Sequence, residues 1–332
     1  MRASYVRVAR CPRQSAARRS LRAAMSLAAS PVSYIMARLM GVPGLDFQAS
    51  CSALGIKAAF RRPSALTTNE LYHLIRGTLD STRYFEFGFA WKHISARTTL
   101  GAYLDVSSPR VLPLVLLQRR AAEKAILLNP DHRDLTETCR VLRAFEMESR
   151  CATACETLEC ARFPAEAFDV ITSVSVVEHI RNDSKAVAAM WRLLKPGGLL
   201  VLSMPCVAVA TEEFRDIDAY GLRESGKEWY FFQTLYDRAL LSERILSVLG
   251  EPRDAVVYGE RKAGTYREGL RRKLSDPAYP YWKEPYMVGR QWRRYSSIDD
   301  LPGEGVVMLA FEKPKDGLAR VEGGTSCEAE AA

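Results

Sequence analysis

The chain has 332 residues, of which 48% are hydrophobic and 26% are charged, with 20 glycines and 16 prolines. This ordinary globular composition excludes a disordered chain, a coiled coil, a collagen-like chain and a small disulfide-rich scaffold. The net charge of +8 is carried entirely by residues 1–45, which contain eight arginines and no lysine, aspartate or glutamate. The rest of the chain is neutral, which argues against nucleic-acid binding by the folded body.

Residues 1–45 form the first predicted unit, a basic segment that is either a targeting sequence or disordered. Residues 1–30 are rich in arginine, alanine and serine and lack acids, as organelle transit peptides do. A translation start at Met25 or Met36, or a segment of modest apolar content lying on anionic lipid, is an alternative. We expect a cytoplasmic protein, or a mitochondrial or chloroplast one if the segment is a transit peptide. No stretch reaches the roughly 20 apolar residues that cross a bilayer.

Residues 46–100 are predicted to form a helical cap. Thr68 and Asn69 precede an apolar run and are typical of a helix start. Aromatic side chains concentrate in residues 84–91. We interpret this cluster as packing over a core; a lid over a ligand pocket is the alternative.

From residue 101 short apolar runs alternate with helical stretches. The predicted strands are 102–106, 125–128, a short one around 155–158, 168–174 and 199–203. The predicted helices are 112–123, 135–148 and 184–195, the last with Asp183 or Ser184 as its N-cap. This alternation predicts an α/β fold with a doubly wound, mostly parallel sheet, whose ligands bind beyond the carboxyl ends of the strands.

Residues 206–301 change in character and are predicted to be an insert, with a helix over 234–249 and a strand at 256–258. Within it, residues 259–301 are basic and aromatic and are expected to cap a substrate. A strand at 306–312 is expected to close the sheet as an antiparallel edge. Residues 315–332 are predicted to be a disordered, slightly acidic tail.

An ordered series of motifs occupies residues 163–205. Phe168-Asp169-Val170-Ile171 with Ser173 is followed by Val177-Glu178-His179-Ile180 and then by a helix ending in Lys195-Pro196-Gly197-Gly198. The series resembles class I S-adenosylmethionine-dependent methyltransferases of the methyltransferase type 11 group. The resemblance implies a Rossmann-like, seven-stranded sheet with an antiparallel final strand, a domain over residues 101–314, and S-adenosylmethionine as the cofactor.

The resemblance also assigns the cofactor loop. Family members follow the first strand with an acid and a Gly-x-Gly loop; here Asp105 stands at the acid, while Ser107 and Pro109 replace the glycines. Serine substitutes for glycine only where the backbone angle is ordinary, and proline removes a donor. The implied cofactor contacts are therefore Asp105 and the hydroxyls of Ser107 and Ser108.

The remaining cofactor positions are displaced from the family pattern. The second strand of the family ends in an acid that holds the ribose, since a carboxylate accepts two hydrogen bonds. Leu127 or Leu128 falls there, so Asn129 or Asp131 is the predicted substitute. The adenine contacts are expected at Thr157 and Leu158, and Ser173 completes the predicted cofactor set.

Glu178 and His179 are the predicted catalytic residues, because they lie just past a strand's carboxyl end and histidine is a suitable general base. The alternative role of His179 is to cap and orient this loop. Residues 229–232 are aromatic and either line an acceptor pocket or pack the insert. We expect a small-molecule or glycan acceptor. A methyltransferase fold that acts as a binding or regulatory module is the alternative, because fold does not determine function.

The spacing of glycines and of cysteines in the sequence argues against two other kinds of site, a nicotinamide site and a metal site. A nicotinamide-dependent enzyme needs Gly-x-Gly-x-x-Gly after its first strand, and none follows Asp105. Cys151, Cys155 and Cys160 contain no Cys-x-x-Cys pair, so no metal site is predicted.

Overall fold

The computed structural model describes residues 1–7, 29–61, 64–67, 70–71, 74–75, 79, 81–97, 100–108, 111–119, 122–218, 227–276 and 279–315. Among them no helix is long and apolar enough to cross a bilayer. The predicted helix start at Thr68, the loop residue Pro109 and the predicted tail beyond residue 315 lie outside these ranges.

The described residues contain eleven strands in two sheets. They are β1 Arg2–Val6, β2 Leu100–Val106, β3 Ala122–Leu128, β4 Cys151–Ala154, β5 Phe168–Val174, β6 Leu194–Cys206, β7 Thr211–Arg215, β8 Tyr230–Leu235, β9 Asp254–Glu260, β10 Trp292–Tyr295 and β11 Gly305–Glu312.

The helices fall into a cap, the crossovers of the sheet, and the insert. They are residues 29–39, Leu45–Arg61, Arg83–Ser95, Val111–Gln118, His132–Ala144, Asp183–Leu193, the consecutive segments Arg238–Leu241, Ser242–Leu246 and Ser247–Leu249, then Thr265–Ser275 and Glu284–Gln291, with short turns of helix at Val177–His179, Tyr281–Lys283 and Ile298–Asp300.

The main sheet has eight strands in the order β10-β9-β11-β6-β5-β2-β3-β4. Strands β6, β5, β2, β3 and β4, which are neighbours in this order, run parallel. Strand β11 pairs antiparallel with both β6 and β9. Strands β5 and β6 are apolar on both faces because helices cover both sides of a parallel sheet. The chain reverses its direction of winding between β2 and β5, and such a switch point leaves a crevice at the carboxyl ends.

The α/β fold and the antiparallel final strand are as predicted, but the sheet has eight strands instead of seven. The additional strand is β10, which pairs with β9 at the edge of the sheet. Its four residues are two aromatic residues, Trp292 and Tyr295, with two arginines between them. The sequence analysis therefore assigned them to a basic insert.

Several predicted boundaries are wrong. The helix predicted at 112–123 ends at Gln118, because β3 already begins at Ala122. The strand predicted near 155–158 lies at Cys151–Ala154, where it pairs with β3. The predicted N-caps Asp183 and Ser184 lie inside the helix, whose N-cap is Asn182.

The cap helix Arg83–Ser95 packs its aromatic residues into the core. Phe87 stacks on Phe47 of the preceding helix at 5.3 Å between ring centroids. Phe85 stacks on Tyr258 of β9 at 4.2 Å. These rings join the helix to the main sheet, and this fixes the position of polar residues on the same helix.

A second, three-stranded sheet covers the carboxyl end of the main sheet. Strand β7 pairs with β8 in an antiparallel hairpin, and β1 joins β7 in parallel. Tyr5 of β1 stacks on Phe214 at 5.3 Å and meets the edge of Trp229 at 5.2 Å. Residues 2–6 of the segment expected to be a targeting sequence or disordered are thus a strand in this structure, and residues 29–39 are a helix. The targeting role of the segment stays a prediction.

Candidate functional site

A cavity of about 620 Å³ opens at the carboxyl ends of β2, β3 and β5, at the switch point of the sheet. We call it the donor cavity. Six of the eight predicted cofactor residues line it: Ser107, Ser108, Asn129, Asp131, Thr157 and Leu158. The topology brings them together because each follows the end of a parallel strand.

Ser107 adopts the backbone conformation of the glycine that it replaces. Its φ is +54°, in the left-handed region that favours glycine, so the condition under which serine substitutes easily for glycine is not met. Its backbone N–H and Oγ both donate to the carbonyl oxygen of Leu128, at 2.8 and 3.0 Å. These two bonds hold the loop against the end of β3. Ser108 Oγ accepts from Val174 N at 2.9 Å, which ties the loop to β5.

Asp105 lies beneath this loop and does not line the cavity. Its Oδ2 accepts from Tyr103 Oη at 2.8 Å and from Thr172 Oγ1 at 2.7 Å, while Oδ1 has no partner among the described residues. Burial raises the pKa of Asp105 to about 6, against the lowering effect of these bonds. A buried carboxylate with an unpaired oxygen suits a site that receives a charged ligand.

Asn129 and Asp131 are engaged in the turn that follows β3. Asn129 Oδ1 accepts from Asp131 N at 2.9 Å, and its Nδ2 donates to Asp134 Oδ2 at 2.9 Å. Asp131 caps the next helix by accepting from Arg133 N at 2.9 Å, and the pKa of Asp131 is lowered. Asp134 also lines the cavity, although the sequence analysis did not select it. The cavity wall after β3 is therefore acidic, through Asp131 and Asp134, which lie beyond the end of the strand.

Thr157 and Leu158 lie in the loop after β4, with Glu156 and Glu159 beside them on the cavity wall. Leu158 is buried in the same apolar cluster as Val106 and Leu128, and a flat apolar ring such as adenine fits such a surface. Ser173 does not line the cavity. It is fully buried on β5, and its Oγ has no partner in the described structure.

A second cavity of about 750 Å³ adjoins the donor cavity, and we call it the acceptor cavity. The two share Arg83, Ser175 and His179 in their walls. Strand β1, the hairpin β7–β8 and the helix Thr265–Ser275 supply most of the other walls. The predicted insert therefore covers this cavity, together with a strand from the N-terminus that no pattern in the sequence indicated.

His179 lies at the junction of the two cavities. Its Nδ1 is 2.6 Å from the carbonyl oxygen of Phe232, so Nδ1 carries the proton and donates it. Its Nε2 lies 3.7 Å from Glu178 Oε1. Phe232, which was expected either to line a pocket or to pack the insert, does line the acceptor cavity and also orients the imidazole.

Glu178 lines the acceptor cavity, although its residue is only 2% exposed. Its Oε2 has no partner among the described residues. Burial, with a smaller contribution from the charge of Glu86, raises the pKa of Glu178 to about 8. The side chain is thus a carboxylic acid at neutral pH and can donate a hydrogen bond.

Glu86 is a site residue that the sequence analysis missed. It comes from the cap helix, is buried, and lines the acceptor cavity. Its Oε1 accepts from Ser175 Oγ and, at 2.8 Å, from Ser203 Oγ, and its Oε2 pairs with Arg83 at 2.9 Å. An acid inside an otherwise aromatic run, Tyr84-Phe85-Glu86-Phe87, was the available signal.

Among the described residues, no cluster of three or more histidine, cysteine, aspartate or glutamate side chains has the arrangement of a metal site. Asp169, which was read as structural, accepts from Ala102 N at 2.7 Å and from Lys195 Nζ at 2.9 Å, away from both cavities.

Comparison with known proteins agrees with this geometry at the level of the domain. Residues 104–202 match the model of the methyltransferase domain family, type 11. This segment is a class I S-adenosylmethionine-dependent methyltransferase domain of that family, as the sequence predicted. No curated protein matches the chain.

The chain is also similar to solved structures. The MccD protein aligns at 10% identity over 70% of this chain and 97% of its own, with a TM-score of 0.47. The geranyl diphosphate C-methyltransferase of Streptomyces coelicolor aligns at 13% identity over 70% and 79%, with a TM-score of 0.43. The 4+2 cyclase SpnF aligns at 16% identity over 68% and 80%, with a TM-score of 0.42.

Proposed function

We propose that this protein transfers a methyl group from S-adenosylmethionine, bound in the donor cavity, to a small-molecule acceptor in the adjoining cavity. The observation that carries the proposal is that two cavities of ligand size share a wall that contains His179. Methyl transfer is an in-line displacement, so the protein must chiefly hold donor and acceptor at contact distance. Two adjoining cavities with a shared wall support that arrangement.

The residues present fit S-adenosylmethionine. The donor cavity combines an apolar surface around Leu158 with carboxylates at Asp131 and Asp134, which suit an adenine ring and a ribose. When bound, the molecule supplies an electrophilic methyl group on a positively charged sulfur. Asp105 places a buried negative charge below the loop, and this favours a cationic ligand above it.

His179 is the proposed base. The Phe232 carbonyl holds the proton on Nδ1, so Nε2 is the nitrogen that can take a proton from an acceptor hydroxyl or amine. Glu178, protonated at neutral pH, lies beside that nitrogen and can hydrogen-bond the acceptor through its unpaired oxygen. A general base of this kind contributes about 10²- to 10⁴-fold to a rate.

The acceptor cavity also supports a small acceptor over a macromolecule. Its walls come from separate parts of the chain, among them β1, the helix Arg83–Ser95, the hairpin β7–β8 and the helix Thr265–Ser275. Arginines and glutamates alternate on these walls, with Glu213 joined to Arg215 at 2.9 Å and to Arg267 at 3.1 Å. Such paired charges suit a polar ligand, which includes a sugar.

The alternative function is a methyltransferase fold that binds no donor. Two observations favour it: Ser107 replaces a glycine at a strained backbone position, and Asn129 and Asp131 are both used in a local turn. Calorimetric titration of the full chain with S-adenosylmethionine and S-adenosylhomocysteine separates the two functions. The enzyme requires binding in the micromolar range.

A matched pair of variants tests where the donor binds. Thr157→Trp places an indole in the donor cavity from an exposed position. It is expected to reduce the affinity for S-adenosylmethionine at least about tenfold, because the indole displaces the ligand from the apolar surface that it would bury. Thr136→Trp, exposed on the nearby helix and outside the cavity, is the control. Absence of heat and of thermal stabilisation with the folded parent protein would reject the enzyme in favour of the binding module.

A further inference from the structure

The helix at residues 29–39 exposes large apolar side chains in a continuous stripe. Val32 is 64% exposed, Ile35 is 58% exposed and Leu39 is 78% exposed, and Met36 is also exposed. Positions 32, 35, 36 and 39 follow the i, i+3, i+4, i+7 spacing and therefore occupy one face of the helix. We call these four residues the apolar stripe.

The opposite face of the same helix contacts the protein through small residues. Ser30, Ser33 and Ala37 are buried, at the same helical spacing. An ordinary surface helix buries its large apolar residues and exposes its polar ones. This helix does the reverse, and an exposed apolar patch of this kind marks an interaction surface.

The charge of the surrounding chain indicates what the stripe meets. Residues 1–45 carry eight arginines and no acidic residue, and seven of these arginines precede the helix. Arg38, on the helix itself, is exposed and pairs with Asp46 at 2.9 Å. On the next helix, Phe60 is 85% exposed beside Arg61, and Ile56 is exposed beside Lys57.

We propose that the apolar stripe docks this protein on an anionic membrane surface. A basic sequence that directly precedes a helix with an exposed apolar face supplies the two components that hold a helix in the headgroup region, apolar burial and attraction to anionic lipid. A second copy of the chain is a poorer occupant, because each copy would bring the same positive charge to the interface. The docking does not depend on the methyltransferase function.

Vesicle co-sedimentation of the full chain tests this proposal. We expect binding to vesicles of phosphatidylcholine mixed with phosphatidylserine, weak binding to phosphatidylcholine alone, and loss of binding as salt is raised. The double variant Ile35→Ser with Leu39→Ser is expected to lower the binding constant at least about tenfold. Its control is Val209→Ser with Ile217→Ser, two exposed apolar residues elsewhere, which is expected to bind like the parent.

Three results would overturn the proposal. One is no sedimentation with mixed vesicles, and another is equal binding by the parent and the stripe variant. The third is a concentration-dependent dimer in light scattering that the stripe variant abolishes, because the stripe would then be a contact between copies. Donor binding measured in parallel reports the fold of the stripe variant and leaves the two proposals separable.

Discussion

Replacing Glu178 with glutamine is expected to change how the stability of the protein depends on pH. Glutamine has nearly the shape of the carboxylic acid but cannot ionise. In the folded protein burial raises the pKa of Glu178 from 4.5 to about 8. In the unfolded chain the same group titrates near its ordinary value, so the two states bind different numbers of protons between these limits.

The sign and size follow from proton linkage. Between pH 4.5 and 8 the folded state holds a proton on Glu178 that the unfolded state has released. The free energy of unfolding of the parent therefore falls by about 1.4 kcal/mol per pH unit in this window, by up to about 5 kcal/mol in total. The Glu178→Gln variant lacks this loss, so it should match the parent near pH 4.5 and exceed its stability above pH 8.

Urea denaturation at pH 5, 7 and 9 measures the effect as a difference between variant and parent. Glu251→Gln, an exposed carboxylate far from the cavities, is the control, and its difference should stay within about 0.5 kcal/mol at every pH. A Glu178→Gln difference that is constant with pH would refute the reasoning, since it would mean that Glu178 is ionised in the folded protein.

Three further predictions concern the loop after β2, the strand β2 itself, and two glycines on helices. Ser107→Gly relieves about 1–2 kcal/mol of strain from the left-handed backbone but loses a hydrogen bond of about 1 kcal/mol, so thermal unfolding should show little net change in stability. Ser107→Val keeps the strain and also loses the hydrogen bond, so it should lower the free energy of unfolding by at least about 2 kcal/mol. Tyr103→Phe removes a bond to the buried Asp105 carboxylate and should cost about 1.5–3 kcal/mol above pH 6 and less at pH 5, by urea denaturation. Gly88→Ala places a Cβ 2.6 Å from the backbone nitrogen of Gly44 and should lower the free energy of unfolding by about 1–3 kcal/mol, by urea denaturation. Gly269→Ala adds a Cβ that meets open space on a helix, and it should raise the free energy of unfolding by about 0.5–1 kcal/mol.

The central part of the fold could be predicted because local patterns there agree with the tertiary structure. Strand β5 has four buried apolar residues, Phe168, Val170, Ile171 and Val174, and the helix Asp183–Leu193 has its apolar residues on one face. The short polar strand β4 was misplaced by four residues, because its position depends on pairing with β3 and not on its own composition.

The candidate site was predictable only where it follows the ends of the strands. Six cofactor residues reached one cavity because strand order in a parallel sheet fixes where their loops meet. The donor and acceptor roles of these residues remain predictions. Strand β1 and Glu86 were missed because each reaches the site from far away in sequence. A single sequence does not indicate such pairings, although the acid within the aromatic run marks Glu86 as unusual.

Glu86 shows why the helical cap belongs to the site. Its carboxylate accepts from Ser175, in the loop that follows β5, and from Ser203 on β6, so it joins the cap to two strands at the junction of the cavities. Ser175 has a φ of +51°, a conformation that a serine keeps only when its surroundings hold it. The charge of Glu86 also contributes to the raised pKa of Glu178. A displacement of the cap would therefore alter both the position of the loop and the protonation of Glu178, the two features on which the proposed acceptor site depends.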